Sequence, residues 1–293
     1  MMMSTRNNFA VLILSHGRAD NVYTVETLRK CGYTGNIYFV LDDEDTTADE
    51  YKKQFGENNV IVFNKREIAK TFDVGDSIQD LPPAVVYARN ASFQIARDLG
   101  LEYFMQLDDD YTSFMFRWIE DKKLKHSYIK DIDKVFEAMI EFLDVSNATT
   151  FAMAQGGDFI GGVGSTAASK PLLRKAMNSF LFKTANPVTF VGRINEDVNT
   201  YVVEGSRGKL YLTTTAMMLT QQQTQKNKGG LTEIYLEVGT YCKSFYTVMM
   251  SPSCVTVRSM GTSHRRLHHS VKWNNTVPKI ISESHRKSTN ANL

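Results

Sequence analysis

Three consecutive carboxylates, Asp108-Asp109-Asp110, follow directly on the apolar segment Glu102 to Leu107. Adjacent carboxylates repel one another, and a fold tolerates them most easily when a cation neutralises them. Hard divalent ions such as Mg²⁺ and Mn²⁺ take oxygen ligands and share them with a substrate's phosphates. In extended backbone Asp108 and Asp110 point the same way and Asp109 the other. The first and third carboxylates are therefore the pair expected at a metal–nucleotide site. A solvated acidic turn is the plainer reading of the same residues.

The carboxyl end carries a second concentration of chemistry. Between Arg258 and Leu293 stand seven basic residues (Arg258, Arg265, Arg266, Lys272, Lys279, Arg286 and Lys287) against one acid, Glu283. The whole chain has 34 Lys and Arg against 32 Asp and Glu, a net +2. That segment thus holds +6 and the remainder −4. Four of the six histidines, His264, His268, His269 and His285, lie in it too. A basic segment on an acidic body points to phosphate or nucleic acid. Its alternative is a solvated tail, above all beyond residue 280, where Ser, Asn, Lys and Arg dominate.

The elements that must position these groups read as an α/β pattern. Phe9 to Leu14 is a continuous apolar run of strand length, closed by the turn Ser15-His16-Gly17-Arg18. Ala19 to Lys30 reads as a helix, Asn36 to Leu41 as a second strand before Asp42-Asp43, and Asn59 to Phe63 as a third after a short helix at Tyr51 to Phe55. Residues 64–81 read as an irregular loop, and Pro82-Pro83 sets the start of a helix running to about Gly100. Glu102 to Leu107 is the fourth strand. Ile132, Val135, Phe136, Met139, Ile140 and Leu143 recur at helical spacing between Ile129 and Val145. Thr150 to Ala154, Lys209 to Thr215 and Thr247 to Met250 read as further strands. Strand–helix alternation with short links predicts a parallel sheet whose ligands gather at the carboxyl ends of its strands.

At 293 residues and 42% hydrophobic content the chain can bury a substantial core. Its longest apolar run, Phe9 to Leu14, is far too short for a transmembrane helix, so no membrane partner is expected. Met1 to Asn8 lacks the apolar core of a signal peptide. The three cysteines, Cys31, Cys242 and Cys254, offer neither a disulfide framework nor a CxxC zinc site. They fit a reducing compartment, and a cytoplasmic protein is expected, in the host cytoplasm for a phage-encoded one. The stretch Gly156 to Gly164 lacks P-loop spacing, which argues against an ATPase. Tyr103, Phe104, Phe114, Phe116 and Trp118 flank the acidic triplet; core packing is the favoured reading, stacking on an extruded base the other.

The first strand with Ser15-His16-Gly17-Arg18, the second with Asp42-Asp43, the helix bearing Arg89-Asn90, and Met105-Gln106-Leu107 leading into Asp108-Asp109-Asp110 resemble the GT-A glycosyltransferases, over roughly residues 9–200. More narrowly the pattern is similar to the TET/JBP-associated glycosyltransferases, a phage and kinetoplastid branch that includes the base J glucosyltransferase and glycosylates hydroxymethylated pyrimidines in DNA. The resemblance implies an α/β, GT-A, Rossmann-like fold: a mostly parallel central sheet flanked by helices in a single compact domain over residues 1–275. Residues 9–111 would form the nucleotide-sugar half, 112–275 the acceptor half, and 276–293 a basic polar tail.

It also implies roles. Asp108 and Asp110 would hold Mn²⁺ or Mg²⁺ on the donor diphosphate, with Asp108 and Asp109 beside the donor. Ser15, His16 and Arg18 would flank the nucleotide, Arg18 countering diphosphate charge; Asp42 or Asp43 would accept from the uracil or ribose. Arg89 and Asn90 would reach the donor from their helix. Glu196-Asp197 resembles the acidic pair that supplies the base in inverting enzymes, with Asp197 as the base and Glu196 the alternative. His264 would close the metal shell, with His268 and His269 behind it. Arg265, Arg266 and Lys272 would clamp diphosphate or DNA backbone. Each also has a plainer reading, as a turn, a helix-terminal acid or a surface charge.

The implied activity is metal-dependent, inverting transfer of a hexose, glucose from UDP-glucose, to a 5-hydroxymethylpyrimidine in DNA, with no obligate protein partner. Two alternatives stay open. One is the same fold acting on a protein, glycan or lipid acceptor, or as a nucleotidyltransferase. The other is a non-catalytic nucleic-acid-binding module.

Overall fold

Every residue of the opening strand β1, Phe9–Leu14, is buried. A strand apolar on both sides belongs inside a sheet covered on both faces. The computed structural model, which describes residues 8–75, 81, 83–165, 168, 173–222, 232–260, 266–277 and 282–285, places it there. After β1 come α1 (Tyr23–Lys30), β2 (Asn36–Asp42), α2 (Ala48–Phe55), β3 (Val60–Phe63), α3 (Lys65–Ala69), α4 (Val85–Asp98) and β4 (Tyr103–Asp108). The second half adds β5 (Tyr111–Glu120), β6 (Lys123–Tyr128), α5 (Ile132–Ser146), β7 (Thr150–Gln155), β8 (Phe180–Lys183), α6 (Glu196–Ser206), β9 (Tyr211–Gln221), α7 (Thr232–Met250), β10 (Val255–Met260), β11 (Arg266–Val271) and α8 (Trp273–Thr276).

One nine-stranded sheet runs β3-β2-β1-β4-β8-β7-β9-β5-β6, and β10 and β11 pair separately. Only β5 and β8 run against the common direction of the large sheet. The sheet is therefore mostly parallel and mixed, with helices on both faces. Because side chains alternate along a strand, β1 feeds two cores. Phe9, Val11 and Ile13 pack with Leu28, Tyr51, Val135, Phe136 and Met139 on one face. Ala10, Leu12 and Leu14 pack with Val86, Phe93, Val198 and Val202 on the other.

Local chemistry sets the helix ends. Asp131 accepts from Lys134 N at the start of α5, and Asn147 in the left-handed region closes it. All six apolar positions expected on its inner face are buried. Within the segment read as a loop, the Asn64 side chain accepts from Glu67 N and starts α3. Thr247 to Met250, read as a strand, is instead the last turn of α7. Tyr246 and Thr247 are buried there, so packing overrides the β-propensity of Thr and Val. The hairpin of β5 and β6 was not expected: Asp121 and Lys122 both have positive φ, as a type I′ turn demands, without the usual Asn-Gly signal.

The segment expected to be a free tail is in part docked. His285 Nε2 accepts from Leu210 N at 3.2 Å, and its Nδ1 lies 2.6 Å from the Asn147 carbonyl. Both ring nitrogens are thereby satisfied, which fixes a neutral tautomer with the proton on Nδ1.

Candidate active site

From β1 the chain moves outward through β2 and β3, then returns to lay β4 on the other side of β1. That reversal opens a crevice at the carboxyl ends of β1 and β4. Leu14 and Asp108 are register partners, so the turn after β1 faces the acidic triplet. Ser15 Oγ donates to Asp109 Oδ2, and Arg18 Nη1 lies 3.0 Å from Asp109 Oδ1. Tyr51 Oη is 2.6 Å from Ser15 Oγ and accepts from Arg18 N. His16 Nδ1 donates to Asp42 Oδ2 at 2.7 Å, while Gly17, at φ 67°, donates its N–H to Asp45. The Asp42 hydrogen bond raises the His16 pKa. Burial pushes Asp42 up, but His16 outweighs it and leaves the carboxyl below its ordinary value.

Thr24 pins the triplet's backbone. Its hydroxyl donates to Asp108 O at 2.6 Å and accepts from Tyr111 N at 2.9 Å, and its own N–H reaches Asp109 O. Asp109 is 3% exposed and turned toward β1, whereas the Asp108 side chain is 24% exposed. Burial pushes Asp108 up to about 7, with Arg89 opposing and Asp110 and Glu196 adding to the rise. Burial and Asp109 push Asp110 up to about 6. Asp110 Oδ1 is buried with no hydrogen-bond partner.

An orphaned, desolvated carboxylate oxygen next to a second raised carboxylate suits a hard divalent cation. Asp108 and Asp110 are the residues that fit such an ion. No group of three His, Cys, Asp or Glu gathers around a possible ion among the described residues. Mg²⁺-type sites often need only one or two carboxylates, since substrate phosphates supply the rest. The expected third ligand, His264, and its neighbour Arg265 lie outside the described residues. His268 and His269 do not join the carboxylates. His268 Nδ1 bonds the His269 carbonyl at 2.7 Å, and His269 Nε2 faces the Lys175 ammonium at 3.0 Å.

Three expected donor contacts turn out to be supports. Arg89 is wholly buried, between the rings of Phe180 and Phe190. Its Nη2 lies 3.0 Å from Asp108 Oδ1 and its Nε 2.8 Å from Glu196 Oε1. Burial disfavours its charge, but these two carboxylates outweigh burial and keep it protonated. Asn90 exchanges two hydrogen bonds with the backbone of Phe190 and holds the loop leading into α6. Asp43, exposed, accepts from Lys65 N at the start of α3. Glu196 is spent on Arg89, which removes it as the alternative base.

Asp197 remains at the amino end of α6. Burial and Glu196 push its carboxyl up to about 7, with Arg89 opposing. Its Oδ1 accepts from Val198 N at 2.7 Å. Asn195, in the left-handed region, ties this helix start to Lys243 O and Thr247 Oγ1 of α7. Arg266 and Lys272 are exposed, one at each end of β11. Tyr103, Phe104 and Phe114 are buried as expected, while Phe116 and Trp118 are exposed on β5. The glycine-rich stretch forms two short 3-10 turns, and Asp158 there accepts from Gln155 N and Arg174 Nη2.

Residues 9–230 match the TET-associated glycosyltransferase family. The chain belongs to that family. It is a glycosyltransferase on that ground, and no curated protein matches it significantly. Among solved structures it is similar to glucosyl-3-phosphoglycerate synthase from Mycobacterium tuberculosis in complex with Mn²⁺, UDP and phosphoglyceric acid: 9% identity, 90% of this chain and 86% of that chain covered, TM-score 0.47. A complex of the same enzyme with Mn²⁺, UDP-glucose and phosphoglyceric acid gives 10% identity, 88% and 86% coverage, and TM-score 0.48. In this TET-associated glycosyltransferase α7, β10, β11 and α8 lie beyond the family match, yet they supply Lys243, Thr247 and His269 to the surroundings of α6. No helix among the described residues is long and apolar enough to cross a membrane.

Proposed function

We propose that this glycosyltransferase moves a hexose, glucose in the first instance, from a UDP-sugar to a 5-hydroxymethylpyrimidine in DNA, with inversion at the anomeric carbon. The observation that carries the reading is the buried bridge Asp108–Arg89–Glu196. It ties the carboxylates suited to a metal to the helix whose next residue is Asp197. A metal on Asp108 and Asp110 would neutralise the diphosphate as it leaves.

The rest falls to the chain's own residues. The turn Ser15–Arg18 and the His16–Asp42 pair line the crevice where the nucleotide would lie. The acceptor hydroxyl oxygen attacks the anomeric carbon, the bond from that carbon to the diphosphate oxygen breaks, and the hydroxyl proton passes to the Asp197 carboxylate. A carboxyl raised to about 7 is a stronger base than an ordinary aspartate and is still substantially ionised at neutral pH. DNA as acceptor is supported by the family and by the basic carboxyl-terminal segment; a duplex base must leave the stack to reach the crevice. Residues 9–111 would serve the donor and 112–275 the acceptor.

The test is incubation with Mn²⁺, a panel of UDP-sugars, and DNA containing hydroxymethylcytosine or hydroxymethyluracil, followed by digestion and nucleoside mass analysis. The reading expects one hexose added to a hydroxymethylated base. UDP-sugar hydrolysis with no mass gain on any base would move the acceptor outside DNA.

A further inference from the structure

Lys175 has no part in the mechanism above, yet its setting asks for a ligand. Its Nζ lies 3.0 Å from His269 Nε2. Asp197 and Asp158 act on it electrostatically, but among the described residues neither forms an ion pair with it. An ammonium has three donors, and His269 takes one. His269 is 6% exposed, and burial together with the Lys175 charge holds its imidazole neutral, down to about 2. It therefore accepts through Nε2 and aims the lysine rather than competing with it for an anion. A secluded cation with two unused donors and no counter-ion is costly unless something anionic completes it.

A second observation points to the same place. Tyr201 stands one turn beyond Asp197 on α6, 4% exposed, and its hydroxyl has no hydrogen-bond partner. The two carboxylates that act on Lys175 act on Tyr201 as well, so both side chains border one polar pocket beside Asp197. Asp158 is offset there by Arg174 at 2.8 Å, and Lys243 adds a further positive charge. An N–H donor carrying charge, a neighbouring O–H donor and an adjacent acceptor-side base form a setting for a phosphate oxygen.

We propose that Lys175, aimed by His269 and joined by the Tyr201 hydroxyl, forms a phosphate-recognition site beside Asp197. The proposal rests on the reading of Asp197 as the acceptor-side base. The phosphate is either a phosphodiester flanking the reacting nucleotide or the diphosphate of the donor. Both offer the same oxyanion.

The test measures equilibrium binding rather than turnover. Lys175→Met, Lys175→Arg, Tyr201→Phe and His269→Leu are compared with the unaltered protein for binding of UDP with Mn²⁺ and of a short oligonucleotide containing a hydroxymethylpyrimidine. Losing one charge-assisted contact is expected to weaken one of the two ligands about tenfold in Lys175→Met. Tyr201→Phe should weaken the same ligand by a smaller factor, and Lys175→Arg should recover much of the loss. Selective loss of the oligonucleotide supports the phosphodiester, and selective loss of UDP supports the diphosphate. If Lys175→Met and Tyr201→Phe bind both ligands as the unaltered protein does, the site does not exist. Should Lys175→Met fail to fold, Tyr201→Phe and Lys175→Arg decide. Loss of phosphate affinity in a protein that glycosylates no base would keep this site and overturn the acceptor assignment, so the two failures are separable.

Discussion

Arg89 Nε lies 2.8 Å from Glu196 Oε1, inside a core from which water is excluded. The same guanidinium reaches Asp108 at 3.0 Å, so one buried cation fixes the distance between the acidic triplet and the helix carrying Asp197. Removing one partner of a buried ion pair leaves the other uncompensated. Arg89→Met should therefore destabilise the fold by about 3–5 kcal/mol. Denaturant unfolding checks this, and a loss under about 1 kcal/mol would show that the bridge does not hold the site together. Lysine should not rescue it, because one point charge cannot bond two carboxylates in a fixed fork.

Asp110 offers the opposite case. Its Oδ1 has no protein partner, so Asp110→Asn should leave folding intact and relieve like-charge repulsion within the triplet. What it should lose is metal-dependent donor binding, by about tenfold or more. Calorimetric titration of UDP with and without Mn²⁺ reads both quantities. Unchanged metal dependence would remove Asp110 from the metal site.

The raised Asp197 carboxyl gives two pH signatures. Transfer should rise with pH as this group ionises, with its midpoint near 7. Stability should move the other way. An acid whose folded pKa exceeds its unfolded value, here about 7 against 3.8, binds more protons when folded. Stability then falls as pH rises from the unfolded value through the folded one. Asp197→Asn should match the unaltered protein in stability below pH 3.8 and exceed it above about 7. Equal melting temperatures across that window would contradict the burial argument.

The His16–Asp42 pair makes a narrower prediction. The hydrogen bond to Asp42 raises the His16 pKa, so Asp42→Asn should bring it back toward 6.5, as proton NMR of the ring would show. An unmoved titration would mean that the pair does not form in solution.

Some of this was readable before folding and some was not. Strands β1, β2 and β4 are buried on both faces and therefore stand out as unbroken apolar runs. The acidic triplet is conspicuous because it terminates one of them. Helix α5 announces itself through its periodicity. The strands β5 and β6 hide because much of their length is exposed and mixed, as in Lys123–Tyr128. Arg89 looked like a donor contact because nothing local says whether an arginine on a helix faces a ligand or the core. Its partners Asp108 and Glu196 sit 19 and 107 positions away. The Lys175–His269 contact spans 94 positions, beyond any spacing rule, and Tyr201 reads in sequence as one more apolar helix residue.

The central claim is that Asp197, held in place through Arg89 and Glu196, removes the acceptor proton. It is tested most directly by the transfer rate of Asp197→Asn on hydroxymethylated DNA, with UDP affinity measured in the same preparation. Transfer should fall by about 10²–10⁴ while UDP binding in the presence of Mn²⁺ stays unchanged. Transfer at the rate of the unaltered protein, or a parallel loss of UDP binding, would contradict it.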